Sequence, residues 1–176
     1  MIKIIATLLT IFAFNVSHAK VNVGIILGFT GPIETLTPGM SAGAELAFNE
    51  AADSGKLLNG QSINIIKVDS TCVDSAAATS AAESLISQGV TAIMGADCSG
   101  VTGAVLSNVA VPNGVPMISP SATSPGLTIA QDNGLFFRTA PSDARGGEVL
   151  AEITSSRGIS SVAITYVNSA YGVGLA

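Results

Sequence analysis

Two short stretches hold the residues best suited to chemistry: Ala96-Asp97-Cys98-Ser99-Gly100 and Pro120-Ser121-Ala122-Thr123-Ser124-Pro125. If a helix starts at Ser99 and Gly100, its free N–H groups and the positive end of its dipole attract an anion such as a carboxylate, and the Ser99 hydroxyl adds a hydrogen bond. The alternative is that Ser99 only caps its own helix. In the second stretch the carbonyls and hydroxyls of Ser121 and Thr123 are acceptors suited to an ammonium group, with ordinary turn chemistry as the alternative. Asp69, Asp74 and Asp97 bring carboxylates to the same region, but their spacing matches no calcium loop. Solvated carboxylates on a rim are the simpler reading.

What the sequence lacks narrows the chemistry further. The chain has a single histidine, His18, and it falls inside a segment that reads as removable. A Ser-His-Asp or Cys-His catalytic arrangement cannot be assembled from the remainder. A zinc site using histidine is excluded as well, and two cysteines alone do not complete a tetrahedral site. The glycines at 24 and 28 do not continue into a dinucleotide fingerprint, no phosphate-binding loop motif occurs, and Ser99 is not in a nucleophile elbow. The expectation is a protein without catalytic residues, cofactor or metal.

Residues 1–19 combine Lys3, an apolar run over 4–14 and the small residues Ser17 and Ala19 flanking His18. That is the pattern of a secretory signal peptide cut after Ala19, and the apolar run is too short to span a bilayer. The alternative, a membrane anchor, would need a longer run. The rest of the chain keeps six basic residues against all 12 acidic ones, a balance of −6. So acidic a surface offers no footprint for nucleic acid. In an exported chain the paired count of Cys72 and Cys98 points to a disulfide, with two free buried thiols as the alternative.

Strands are predicted over 21–27, 63–69, 91–95, 115–119, 135–139 and 161–167. Helices are predicted over 40–54, 76–88, from 99 or 100 to about 109, over 143–156 and from 171 onward. Short β-branched runs alternating with Ala-rich helical stretches give an α/β fold, a Rossmann-like parallel sheet flanked by helices. In such sheets ligands lie beyond the carboxyl ends of the strands. Those ends carry Gly28, Ser70-Thr71-Cys72, the Asp97–Gly100 stretch and the Ser121–Thr123 stretch, and a disulfide between Cys72 and Cys98 would stiffen that rim. No helix stop signal follows 171–176, so the sequence is expected to end inside a domain.

With these residues in view, the chain resembles the type I periplasmic binding proteins of the leucine/isoleucine/valine-binding family. The resemblance is carried by Thr30-Gly31-Pro32, Gly43-Ala44-Glu45-Leu46-Ala47, Asp69-Ser70-Thr71-Cys72, Ala96-Asp97-Cys98-Ser99, the run from Ile118 to Pro125, Phe137-Arg138-Thr139 and Tyr171-Gly172. It implies two lobes closing on a small solute, a Cys72–Cys98 disulfide, and Ser99 with its N–H holding an α-carboxylate. It also implies the Ser121 carbonyl and Thr123 hydroxyl holding an α-ammonium, in a site that includes Asp97, Cys98, Gly100 and Ala122, and Tyr171 contributing from the second lobe. Residues 20–139 would be the first lobe, without its return segment, and 140–176 the start of an incomplete second lobe. The acid that the second lobe usually offers to the ammonium would then lie outside this sequence.

The resemblance further implies a periplasmic, monomeric solute-binding component of an ABC importer, working with a membrane permease and carrying a branched-chain amino acid or a related zwitterionic or amide solute. A ligand-sensing receptor of the same fold is the second reading, and an exported α/β enzyme the third. Two positions depart from the family pattern. Leu36 stands near the place of a ligand-contacting aromatic. Asp97 stands where an apolar side chain lines the pocket, which argues against a purely aliphatic ligand side chain unless Asp97 points to solvent.

Overall fold

The computed structural model describes residues 20–56 and 61–176; the leader at 1–19 and the turn residue Gly60 lie outside the described residues. The chain opens with β1 (Val21–Leu27), whose last five residues are all buried. It continues through α1 (Thr37–Asp53), β2 (Ile63–Asp69), α2 (Ser75–Ser87) and β3 (Val90–Gly95). Next come α3 (Ser99–Val105), a π-helical turn (Leu106–Ala110), α4 (Val111–Asn113) and β4 (Met117–Ser119). A 3-10 turn (Pro125–Thr128), β5 (Phe136–Arg138), α5 (Ala144–Ser156) and α6 (Ala170–Leu175) complete the order.

The five strands form one parallel sheet in the order β2-β1-β3-β4-β5. The winding reverses between β1 and β3. β1 sits inside the sheet with neighbours on both edges, so its run of Val, Ile and Leu meets no water; Ile25, Ile26 and Leu27 are fully buried. On one face α2 and the helix that starts at Ser99 pack Ala78, Ala82, Leu85, Val105 and Val109 against Ile26, Ile93 and Met117.

Local signals explain the boundaries. The Asp74 carboxylate accepts from the N–H groups of Ala76 and Ala77 at 2.9 and 3.0 Å, which starts α2, and Gly89 at φ 72° lets the chain leave it. The helix from Ser99 runs past the expected end near 109. It passes Pro112, which has no N–H to give, by widening into π hydrogen bonding over Leu106–Ala110.

The predicted sixth strand, 161–167, is not found. That segment pairs with no strand and each of its residues is exposed. A strand needs a ladder partner for its backbone groups, and no other strand follows α5 among the described residues. Among these residues no helix is long and apolar enough to cross a membrane.

Leu85 is fully buried on α2 against the sheet. Leu85→Ala is expected to lower unfolding free energy by about 2–5 kcal/mol, from lost burial and the cavity left behind. A urea midpoint within error of the parent's would show that α2 is not part of this core.

Candidate functional site

The carboxyl ends of β1, β2 and β3 converge on one side chain. Asp97, the second residue after β3, is 2% exposed. Its Oδ2 accepts from the Gly28 N–H at 2.6 Å. Its Oδ1 accepts from the Cys98 N–H at 2.9 Å and the Ser70 hydroxyl at 3.2 Å. The fit at Gly28 is close: a Cβ there would stand 3.1 Å from the Cys72 Cβ and 3.3 Å from Asp97 Oδ2. The carboxylate therefore spans the switch point between β1 and β3 and is committed to the protein. Both of its oxygens are engaged by protein donors.

A covalent link runs alongside. Cys72 and Cys98 are disulfide-bonded with Cα atoms 5.2 Å apart, joining the loops after β2 and β3. Thr71 and Cys72 both take left-handed backbone angles, φ 59° and 67°, which non-glycine residues adopt only when the surroundings hold them there. Asp69 does so, accepting from the Thr71 N–H at 2.8 Å and the Thr30 hydroxyl at 2.5 Å. Burial raises the Asp69 pKa, but hydrogen bonds from the Thr30 hydroxyl and the Thr71, Thr30 and Phe29 N–H groups outweigh it and leave it below its ordinary value.

Ser99 is buried and heads α3. Its hydroxyl makes no cap on its own helix; it crosses to accept the Ser124 N–H at 3.1 Å and retains its own proton for a further acceptor. The facing loop is fixed by Ser119, whose hydroxyl donates to the Ala96 carbonyl at 2.5 Å and accepts from the Ala122 N–H at 3.0 Å. Arg138, at the end of β5, donates to the carbonyls of Ala122 and Ser124 at 3.2 and 2.9 Å and to the Thr128 hydroxyl. Ser121 spends its hydroxyl on the Asp97 carbonyl at 2.9 Å. The Ser121 carbonyl and the Thr123 hydroxyl take no part in these bonds.

Together these elements enclose a cleft of about 1060 Å³. Asp97, Cys98, Ser99, Gly100, Ser121, Thr123, Tyr171 and Cys72 all line it. Ala122 does not, contrary to the expectation from sequence: it is fully buried behind the wall, with its N–H given to Ser119 and its carbonyl taken by Arg138. The apolar residues Ile33, Leu36, Met40 and Val73 also line the cleft.

Among the lining residues that the sequence reading did not place in the site, Asp143 carries a carboxylate. Asp143 precedes α5 at the N-cap position, yet its carboxylate does not cap the helix. The Ser142 hydroxyl takes that role instead, accepting the Ala144 N–H at 3.3 Å. Asp143 Oδ2 is buried and has no hydrogen-bond partner among the described residues, while the Asp143 N–H donates to the Thr123 carbonyl at 3.0 Å. The signal lay in Ser142-Asp143: two residues able to cap stand in a row before one helix, and one is surplus.

Residues 20–176 match the family described as periplasmic binding protein. The chain is 33% identical over 175 residues to the Leu/Ile/Val-binding protein BraC3 of Rhizobium johnstonii, covering 97% of this chain and 46% of that one. It is 30% identical to the Leu/Ile/Val-binding protein homolog 3 of Brucella melitensis, covering 95% and 45%. Among solved structures it is similar to the branched-chain amino acid transporter substrate binding protein LivJ from Streptococcus pneumoniae in complex with isoleucine. The TM-score there is 0.68 at 31% identity, covering 79% of this chain and 39% of that one. The chain thus spans about half the length of the curated relatives it matches.

Two outcomes are expected. Denatured without reductant, the protein should show no titratable thiol; two reactive thiols would remove the disulfide from the rim. Asp69, with its pKa lowered in the fold, adds stability above the unfolded carboxylate pKa near 3.9, and that contribution is lost as pH falls through the lower folded value. Asp69→Asn should therefore reduce stability near pH 7 and flatten the acid limb of the pH–stability curve. Parallel curves for parent and variant would refute this.

Proposed function

We propose, for a chain that belongs to the periplasmic binding protein family, that it is the extracytoplasmic solute-binding component of an ABC importer. It captures a branched-chain amino acid or a related small zwitterionic or amide solute and hands it to a membrane permease without transforming it. The observation that carries this reading is that Ser121, Thr123 and Asp143 line one cleft, while the Ser121 carbonyl, the Thr123 hydroxyl and Asp143 Oδ2 have no hydrogen-bond partner among the described residues. The Ser121 carbonyl, the Thr123 hydroxyl and the unpartnered Asp143 carboxylate are acceptors, suited to an ammonium. The start of α3, with the Ser99 hydroxyl proton, supplies donors for the solute's other polar end. The apolar residues Ile33, Leu36, Met40 and Val73 suit an aliphatic side chain.

Residues 20–139 serve as the first lobe and 140–176 begin the second. Supporting that division, the apolar side chains of Leu150, Val162, Ile164 and Tyr166 stand more than half exposed around a separate groove of about 790 Å³, as a half-covered core would. Tyr171, on α6, reaches the cleft from that side. The packing of α3 against α6, where a Cβ on Gly100 would lie 3.9 Å from the Ala170 Cβ, is the contact a closing second lobe would make. The protein works as a monomer in the periplasm, with its leader cut after Ala19.

Thr123→Ala should weaken binding of leucine by about 1–3 kcal/mol, the range for a lost hydrogen bond to a charged group, read by titration calorimetry. Unchanged affinity would take Thr123 out of the site.

A further inference from the structure

Arg138 is half-buried at the end of β5 and enters no ion pair among the described residues; the pairs there are Lys67–Glu45 and Arg145 with Glu148 and Glu152. Its donors go to neutral acceptors instead, in bonds that its charge strengthens. Nη1 donates to the Ala122 and Ser124 carbonyls at 3.2 and 2.9 Å. Nη2 donates to the hydroxyl of Thr128, an exposed residue of the 3-10 turn. The guanidinium is planar and rigid, so anchoring one nitrogen fixes where the other points. Neither Arg138 nor Thr128 lines the cleft.

What these bonds restrain is the residue between the two carbonyls. A residue has only two soft backbone torsions, set by the planar peptides before and after it. The peptide before Thr123 carries the Ala122 carbonyl, held by Arg138. The peptide after it carries the Thr123 carbonyl, held by the Asp143 N–H at 3.0 Å. Both planes are pinned, and with them the direction of the Thr123 Cα–Cβ bond. The Ser121 carbonyl is set separately. It lies across its trans peptide from the Ala122 N–H, which donates to the Ser119 hydroxyl at 3.0 Å.

We propose that Arg138, aimed by Thr128, is the positioning residue for the amine end of the solute: it touches no solute and acts by fixing Thr123. The inference rests on the reading of Thr123 as an acceptor for that amine and adds the residues that hold it in place.

The test uses the full chain, with leucine as the probe, and takes two measurements. In titration calorimetry, Arg138→Met should weaken leucine binding by about tenfold and Thr128→Val by about threefold. In a Thr123→Ala background neither should cost more than about twofold, because the acceptor they place is gone. Amide hydrogen exchange without solute reads the hold directly. Both variants should speed exchange of the Asp143 N–H by about tenfold and leave the Ile93 N–H, bonded to the Pro116 carbonyl at 2.9 Å in the sheet, unchanged. Should Arg138→Met fail to fold, Thr128→Val carries both readouts. Equal costs with and without Thr123, the signature of a merely structural role, would overturn the proposal. So would an unchanged exchange rate at Asp143, whatever the parent binds. A parent that does not bind leucine, with exchange at Asp143 still quickened in the variants, would overturn the solute-site reading and leave the hold of Arg138 on the loop standing.

Discussion

A carboxyl group buried away from water is costly unless its oxygens find hydrogen-bond partners, and the loops around Asp97 are arranged to provide them. Gly28 brings the end of β1 close enough to donate, Ser70 does so from β2, and Cys98 from the residue next along the chain. Three strand ends that would otherwise be independent loops become one platform, at the place where the sheet reverses its winding. The disulfide between Cys72 and Cys98 repeats the β2–β3 tie in covalent form. The hydrogen-bonded brace and the covalent one act on the same two loops, so the start of α3 is held by a rigid floor.

Upon that floor the polar groups divide into two sets. One set is consumed in holding loops together: the hydroxyls of Ser119 and Ser121, the lone pair of Ser99 that takes the Ser124 N–H, and the backbone of Ala122. The other set, made of the Ser121 carbonyl, the Thr123 hydroxyl and Asp143 Oδ2, belongs to residues that line the cleft and takes no hydrogen bond among the described residues. A polar group buried without a partner is a standing free-energy cost. The residues that line the cleft are thus where the domain retains unsatisfied hydrogen-bonding capacity.

Much of this was legible in the residues. The five paired strands were visible as short apolar runs, because a strand buried on both faces has no polar alternation to confuse the reading; β1 is the clearest case. Asp74 announced the start of α2. The cysteine pair and the strand-end loops marked the cleft, since in a parallel sheet the chain must turn there. Three things were not legible. The segment 161–167 has strand composition but no strand to pair with, and pairing is a property of partners rather than of the segment. Ala122 sits between two cleft residues, but the direction in which its backbone groups point depends on Ser119 and Arg138, which come from β4 and β5. The commitment of the Asp97 carboxylate depended on the distance to Gly28, sixty-nine positions away in the chain, and no local pattern encodes that.

The bonds made by Arg138 and the residues that follow it bear on how motion would pass through the domain. Arg138 grips the carbonyls on either side of Thr123, Thr139 reaches back to Ser119 and Pro120, and the Asp143 N–H holds the Thr123 carbonyl. The chain leaving β5 is therefore tied by five hydrogen bonds to the end of β4 and the loop that follows it. Torsion applied to the chain beyond β5 reaches Thr123 through these bonds directly, and the position of Thr123 in turn restrains the path of the chain. The placing of the Thr123 loop and the course of the chain after β5 are, in this architecture, set by one hydrogen-bonded linkage.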